Sequence, residues 1–222
     1  MSEMPRETTE TAGATAGTAA AAATAGTAAA TAETAATAAA ARTAAARAAA
    51  GFVVRPVRPS EHESLGELIV AAYRAIAEMP QSDEYDAALR DVAMRAAASC
   101  VLVGVADDGT VLGGVTYVSG PDDPYSEELR DDEAGMRMLA VAPAARRRGV
   151  GRALTLECLR RARAAGKRRL VLHTGVWMPE ARRMYESIGF RRDPSIDFTP
   201  VPGVDLLAYA YEFEPAEAPR RD

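Results

Sequence analysis

The stretch "MLAVAPAARRRGVGRAL" (residues 138–154) decides the reading of this chain. Its apolar start reads as a β-strand that Pro143 ends, and apolar positions at helical spacing resume from Gly149. Between them, Arg146, Arg147 and Arg148 stand directly before Gly149 and Gly151, in a chain of formal net charge −5. A helix start leaves backbone N–H groups unpaired and carries the positive end of the helix dipole. Glycines let a ligand approach that backbone closely, so a phosphate can collect several N–H bonds there. Neighbouring arginines add charge-assisted bonds. The alternative is a solvated basic helix end. The stretch has no GxxxxGK[ST], and "GVGRAL" lacks the third glycine of a dinucleotide fingerprint.

Working outward, "GFVVRPVRP" reads as a short strand closed by prolines. Ser60 and Glu63 have capping-box spacing and open a helix. Its apolar positions Leu65, Leu68, Ile69, Ala72, Tyr73, Ile76 and Met79 run on to Pro80. A second amphipathic helix is expected over about 83–98. "CVLVGVA" and "TVLGGVTYV" form two strands joined by "DDG", a hairpin signal. After an acidic loop, "GMRMLAV" is a fourth strand. A helix over 149–165 stops at Gly166, and "RRLVLHT" is a fifth strand. "PEARRMYESIGF" is a helix opened by Pro179 and closed by Gly189, and "LLAYAYEF" is a last strand. This order predicts an α/β fold: a central mixed sheet of six or seven strands with helices on both faces.

The 222 residues suit one sizeable domain and a tail. From Thr11 to Ala50 every residue is Ala, Thr or Gly except Glu33, Arg42 and Arg47. Residues 1–51 therefore read as a low-complexity disordered arm, 52–214 as the folded domain and 215–222 as a flexible tail. No secretory or membrane-spanning pattern is recognisable, so a soluble, cytoplasmic protein is expected. The acidic balance argues against nucleic acid as a partner. Cys100 and Cys158 sit in apolar runs and read as buried small hydrophobes. His62 and His173 are far apart and lack flanking ligands, which does not suit a zinc site.

R-x-x-G-x-G after a "MLAV" strand and a proline, followed by "ARRMYESIGF", resembles the GNAT superfamily of acetyl-CoA-dependent N-acetyltransferases. The resemblance spans about Phe52 to Phe213. It implies that the fourth strand, at Leu139, Ala140 and Val141, pairs with the pantetheine arm of coenzyme A. It also implies that the turn of Arg146, Arg147, Arg148, Gly149, Val150, Gly151 and Arg152 holds the pyrophosphate, and that the fourth and fifth strands splay apart beyond. The acetyl group would pass to a primary amine of a small molecule or peptide N-terminus, with no metal. A backbone N–H near Leu139 would stabilise the oxyanion. Tyr185 matches the family's general acid, because a phenol of reference pKa near 10 stays protonated at neutral pH; a packing tyrosine is the alternative.

The base is less well matched. The glutamate that many relatives carry eleven residues before the R-x-x-G-x-G arginine is Gly135 here. Glu133 lies on the same face if the strand extends that far. The fifth-strand glutamate used by a second subset is His173 here, and an imidazole of reference pKa near 6.5 suits a base. A backbone-held water is a third option. The asparagine that helps hold the cofactor arm is Met178. These departures leave room for a non-catalytic acyl-CoA sensor. The loop "PDDPYSEELRDDE" (residues 121–133) sets seven carboxylates against Arg130, a rim that would attract a cationic amine or only solubilise the surface. A proline-rich segment with Ile196 and Phe198 is expected to form a second wall. A homodimer is left open.

Overall fold

The computed structural model describes residues 51–80 and 82–214. Apart from Gly51, the expected Ala/Thr arm lies outside the described residues, as does the tail 215–222. β1 (Phe52–Pro56), β2 (Cys100–Ala106), β3 (Val111–Val118), β4 (Glu133–Val141), β5 (Arg169–Gly175), β6 (Arg191–Arg192) and β7 (Leu206–Glu212) form one sheet in the order 1-2-3-4-5-7-6. Neighbours run antiparallel except β4 and β5, which are parallel. Parallel neighbours need a crossover, and here α4 (Val150–Ala164) supplies it. The expected mixed α/β sheet with helices on both faces is what the chain forms.

Strand alternation sorts the core into two layers. Val101, Val103 and Val105 of β2 pack with Leu65 and Ile69 of α1 (His62–Arg74), Leu89 of α2 (Asp83–Arg90) and Val92 of α3 (Val92–Ala98). On the other face Leu102, Met136, Leu170 and Leu172 meet Val150, Leu154, Cys158 and Ala162, one stripe of α4 at helical spacing. Tyr185 of α5 (Pro179–Ile188) joins this second layer. Each fully buried Leu, Ile or Val side chain contributes roughly 1.5–3 kcal/mol. Among the described residues, no helix is long and apolar enough to cross a membrane.

The boundaries differ from expectation where tertiary contacts decide them. Ser60 sits in a short 3-10 turn and caps nothing; instead the Glu61 carboxylate accepts from the Arg58 amide at 2.8 Å and is gripped by both terminal nitrogens of Arg55. α1 stops at Arg74 rather than at Pro80, with the Arg74 guanidinium held by Asp86 of α2. The expected second helix breaks at Asp91, whose ψ of 69° is not helical. Asp91 caps α3 through the Met94 amide. Arg95, fully buried, turns back to the carbonyls of Ala88 and Leu89 that α2 leaves open at its end. β4 begins at Glu133, two residues before the expected start.

Candidate active site

The pairing of β4 with β5 ends at Met136 and Leu172, although both strands continue, to Val141 and Gly175. On its other side β4 carries one extra residue: Gly114 pairs with Ala140 but Thr116 with Arg137. This bulge contains Met138 in the left-handed region, φ 53°. A bulge bends its strand, and a non-glycine residue held there costs of order 1–3 kcal/mol. The edge of β4 from Arg137 to Val141 that faces β5 is left with no strand partner among the described residues. Leu139, Ala140 and Val141 lie on it.

The strand then leads into the arginine turn. Ala142 donates to the Leu112 carbonyl at 2.9 Å, and a 3-10 turn over Pro143–Ala145 follows. Arg147 (φ 63°) and Gly149 (φ 82°) are both left-handed, and Gly149 caps α4. Successive amides around such residues form a concavity suited to an anion. Among the described residues, none accepts a hydrogen bond from the amides of Gly149, Val150, Gly151 or Arg152. Arg146, Arg147 and Arg148 are exposed, and no described carboxylate pairs with them. Arg152 contacts the Ser187 hydroxyl of α5 at 3.3 Å. A Cβ added to Gly151 would lie 3.5 Å from the Met184 sulfur, so the turn abuts the residue before Tyr185.

Tyr185 is 5% exposed and packs at a tilt on Phe190, with ring centroids 5.8 Å apart. Burial, with a smaller contribution from Cys158, pushes its phenol well above the ordinary range. No hydrogen bond from a described residue ties its hydroxyl.

Glu133 and His173 occupy different places. Glu133 sits at the first rung of the β4–β5 pair, opposite Arg169. Its carboxylate, 3% exposed, accepts from Arg169 Nε at 2.6 Å and from the Arg130 amide at 3.1 Å. That rung is three residues, about 10 Å, from the point where the strands part. His173 is the first β5 residue beyond the last pair. Its ring Nε2 lies 2.9 Å from the Ile196 carbonyl, and its edge meets Phe198 at 4.8 Å between centroids. Its Nδ1 is buried without a hydrogen-bond partner and faces Glu127 Oε2 at 3.6 Å.

Glu127 had no individual role in the sequence reading, where it was one of seven loop carboxylates. It and Glu128 take left-handed φ values of 43° and 66°. Arg137 Nε approaches Glu127 to 2.6 Å, though its N–H does not point at the oxygen. The rest of the Arg137 guanidinium donates to Met136 O and Ser126 O. Burial pushes the Glu127 carboxyl up, but His173 and Arg137 outweigh it and hold the group below its ordinary range. The carboxylate faces a cavity of about 350 Å³ that extends to Met138 and Thr174, one on each separated strand. Tyr73, Tyr85, Trp177 and Phe198 wall it, with Met178, whose sulfur is 3.8 Å from the Thr174 hydroxyl. A second cavity, about 530 Å³, shares Glu127, His173 and Phe198 and reaches Glu133 and Ile196.

The sequence matches the model of the acetyltransferase (GNAT) family over residues 63–190, more than half of the chain. No protein of curated function matches it. Among solved structures, a GNAT-family acetyltransferase from Staphylococcus aureus Mu50 superposes with a TM-score of 0.59 at 13% identity, covering 73% of this chain and 99% of that one. The protein yncA of Salmonella typhimurium, described with acetyl-CoA as its cofactor, gives 0.55 at 20% identity over 76% and 97% of the two chains. A GNAT-family acetyltransferase from Brucella melitensis, in complex with acetyl-CoA, gives 0.50 at 24% identity over 74% and 89%.

Proposed function

The chain belongs to the GNAT acetyltransferase family, and from that premise we propose that it moves an acetyl group from acetyl-CoA to a primary amine by direct attack. The observation that carries this reading is the unpaired edge of β4 running into a turn whose amides have no described acceptor. Leu139, Ala140 and Val141 offer backbone groups to the amide-rich pantetheine arm. The amides of Gly149 to Arg152 meet the diphosphate, and Arg146, Arg147 and Arg148 add positive charge around it.

Chemistry then falls at the strand opening. The amine must shed a proton before its lone pair can attack, and His173 is the base on hand, because it stands in the opening while Glu133 does not. As the amine nitrogen bonds to the acetyl carbon, negative charge gathers on the carbonyl oxygen, and a β4 amide near Leu139 stabilises it. The carbon–sulfur bond breaks, and the departing thiolate takes the Tyr185 phenol proton. The products are an amide and free coenzyme A. Glu133, committed to Arg169, acts as a strand anchor.

That commitment of Glu133, with Gly135 at the position of the usual glutamate, also favours a second reading, a non-catalytic acyl-CoA sensor. Isothermal titration with acetyl-CoA beside a thiol-release assay over an amine panel tests both. Binding with thiol release supports acetyl transfer; binding without release from any amine supports the sensor.

A further inference from the structure

We propose that the aromatic-walled cavity at the strand opening is the acceptor subsite, and that it takes a primary ammonium on an aromatic body bearing no carboxylate. The inference rests on the acetyl-transfer reading, which it deepens by naming the acceptor class.

The charged end is set by two facing acceptors. A carbonyl only accepts, so the 2.9 Å contact to Ile196 O places the ring hydrogen of His173 on Nε2. When the ring is neutral, Nδ1 then presents a lone pair, on a side chain only 6% exposed, and makes no hydrogen bond. Facing it at 3.6 Å is a carboxylate oxygen of Glu127, also an acceptor. A primary ammonium brings several N–H donors on one atom and can serve both. Proton transfer from that nitrogen to Nδ1 leaves a neutral amine beside an imidazolium that Glu127 stabilises.

The body of the acceptor is set by the walls. Tyr73 and Tyr85 meet edge to face at 6.0 Å, Phe198 stands against His173, and Trp177 lies over Gly175. Aromatic groups favour such tilted contacts with another ring, and about 350 Å³ lies within the usual range for small ligands. The exclusion of a carboxylate follows from charge. Arg137 is the one arginine or lysine among the residues lining this cavity. Two of its nitrogens donate to Met136 O and Ser126 O, and its Nε lies 2.6 Å from a Glu127 oxygen, whose charge balances its own. An acceptor carboxylate would find no free cation and would lie near Glu127.

Trp177 is the chain's single tryptophan, so its emission reads acceptor binding without turnover. Titration of the full-length protein, saturated with coenzyme A, with 2-phenylethylamine is expected to change that emission saturably. Phenylalanine, the same skeleton with a carboxylate, and hexylamine, the same charge without a ring, should each bind about tenfold more weakly or worse, as should 2-phenylethylamine to Glu127→Gln. Absence of a saturable change, or equal affinity for phenylalanine or hexylamine, would overturn the proposal in the unmodified protein, whatever the variant does. Thiol release measured in parallel separates the two levels: amine binding of the expected selectivity without release would refute acetyl transfer and leave the subsite standing.

Discussion

Glu133 and Arg169 are partners twice over. They are opposite residues at the first rung of the parallel β4–β5 pair, and their side chains meet at 2.6 Å with both nearly sealed from solvent. Removing Glu133 takes the partner from Arg169 Nε, while Arg169 Nη1 keeps Asp193 at 2.9 Å, so the loss is that of one charged hydrogen bond, about 1.5–3 kcal/mol. Glu133→Ala is expected to lower Tm by roughly 3–12 °C, while acetyl-CoA turnover per folded molecule stays near the parent value. A stable variant with lost turnover would move Glu133 from anchor to base.

Tyr185→Phe keeps the ring and its contact with Phe190 but removes the donor. Turnover is expected to fall about a hundredfold, with acetyl-CoA affinity unchanged by calorimetry. Burial raises the phenol above its ordinary value near 10, so it holds its proton further into alkali than a free tyrosine. The kcat profile of the parent protein should therefore show no Tyr185-dependent decline below about pH 10. A decline near pH 8–9 that disappears in the variant would contradict this.

Gly175 lies beneath Trp177, where an added Cβ would sit 2.5 Å from the indole Cε2. Gly175→Ala must push the indole out of the acceptor cavity. The expected result is a higher KM for the amine and an unchanged Kd for acetyl-CoA, since the turn and the β4 edge are untouched. Equal losses of both affinities would show that the two sites are not separable in this way.

The Glu61 carboxylate is held below its ordinary range, chiefly by its hydrogen bonds from Arg55, against the opposing effect of burial. A group depressed on folding contributes stability above its unfolded pKa, near 4.3, and loses it as pH falls through the folded value. In chemical unfolding, Glu61→Gln should be less stable than the parent at pH 7, and the gap should close as pH drops below about 4. A gap that widens on acidification would reverse the sign.

Much of this architecture is legible in the sequence because its signals are local. The apolar runs "CVLVGVA" and "TVLGGVTYV", joined by "DDG", read as a hairpin, and they pair as one. The arginine turn is legible from the proline before it and the glycines inside it. The ends of α1, α2 and α3 are not, because distant partners choose them: Asp86 receives Arg74, and Arg95 returns to the open carbonyls of α2. Glu127 is likewise hidden. Nothing in its neighbourhood distinguishes it from the other loop carboxylates until Arg137 and His173 arrive from β4 and β5. Trp177, rare by composition, shows its place only once β5 parts from β4.

Crystallisation with acetyl-CoA gives the most direct measurement. The coenzyme's diphosphate should lie within hydrogen-bonding distance of the amides of Gly149, Val150, Gly151 and Arg152, with its pantetheine arm along Leu139 to Val141 and its thioester near the Tyr185 hydroxyl. A coenzyme bound elsewhere, with that turn making no phosphate contact, would contradict the assignment of the site.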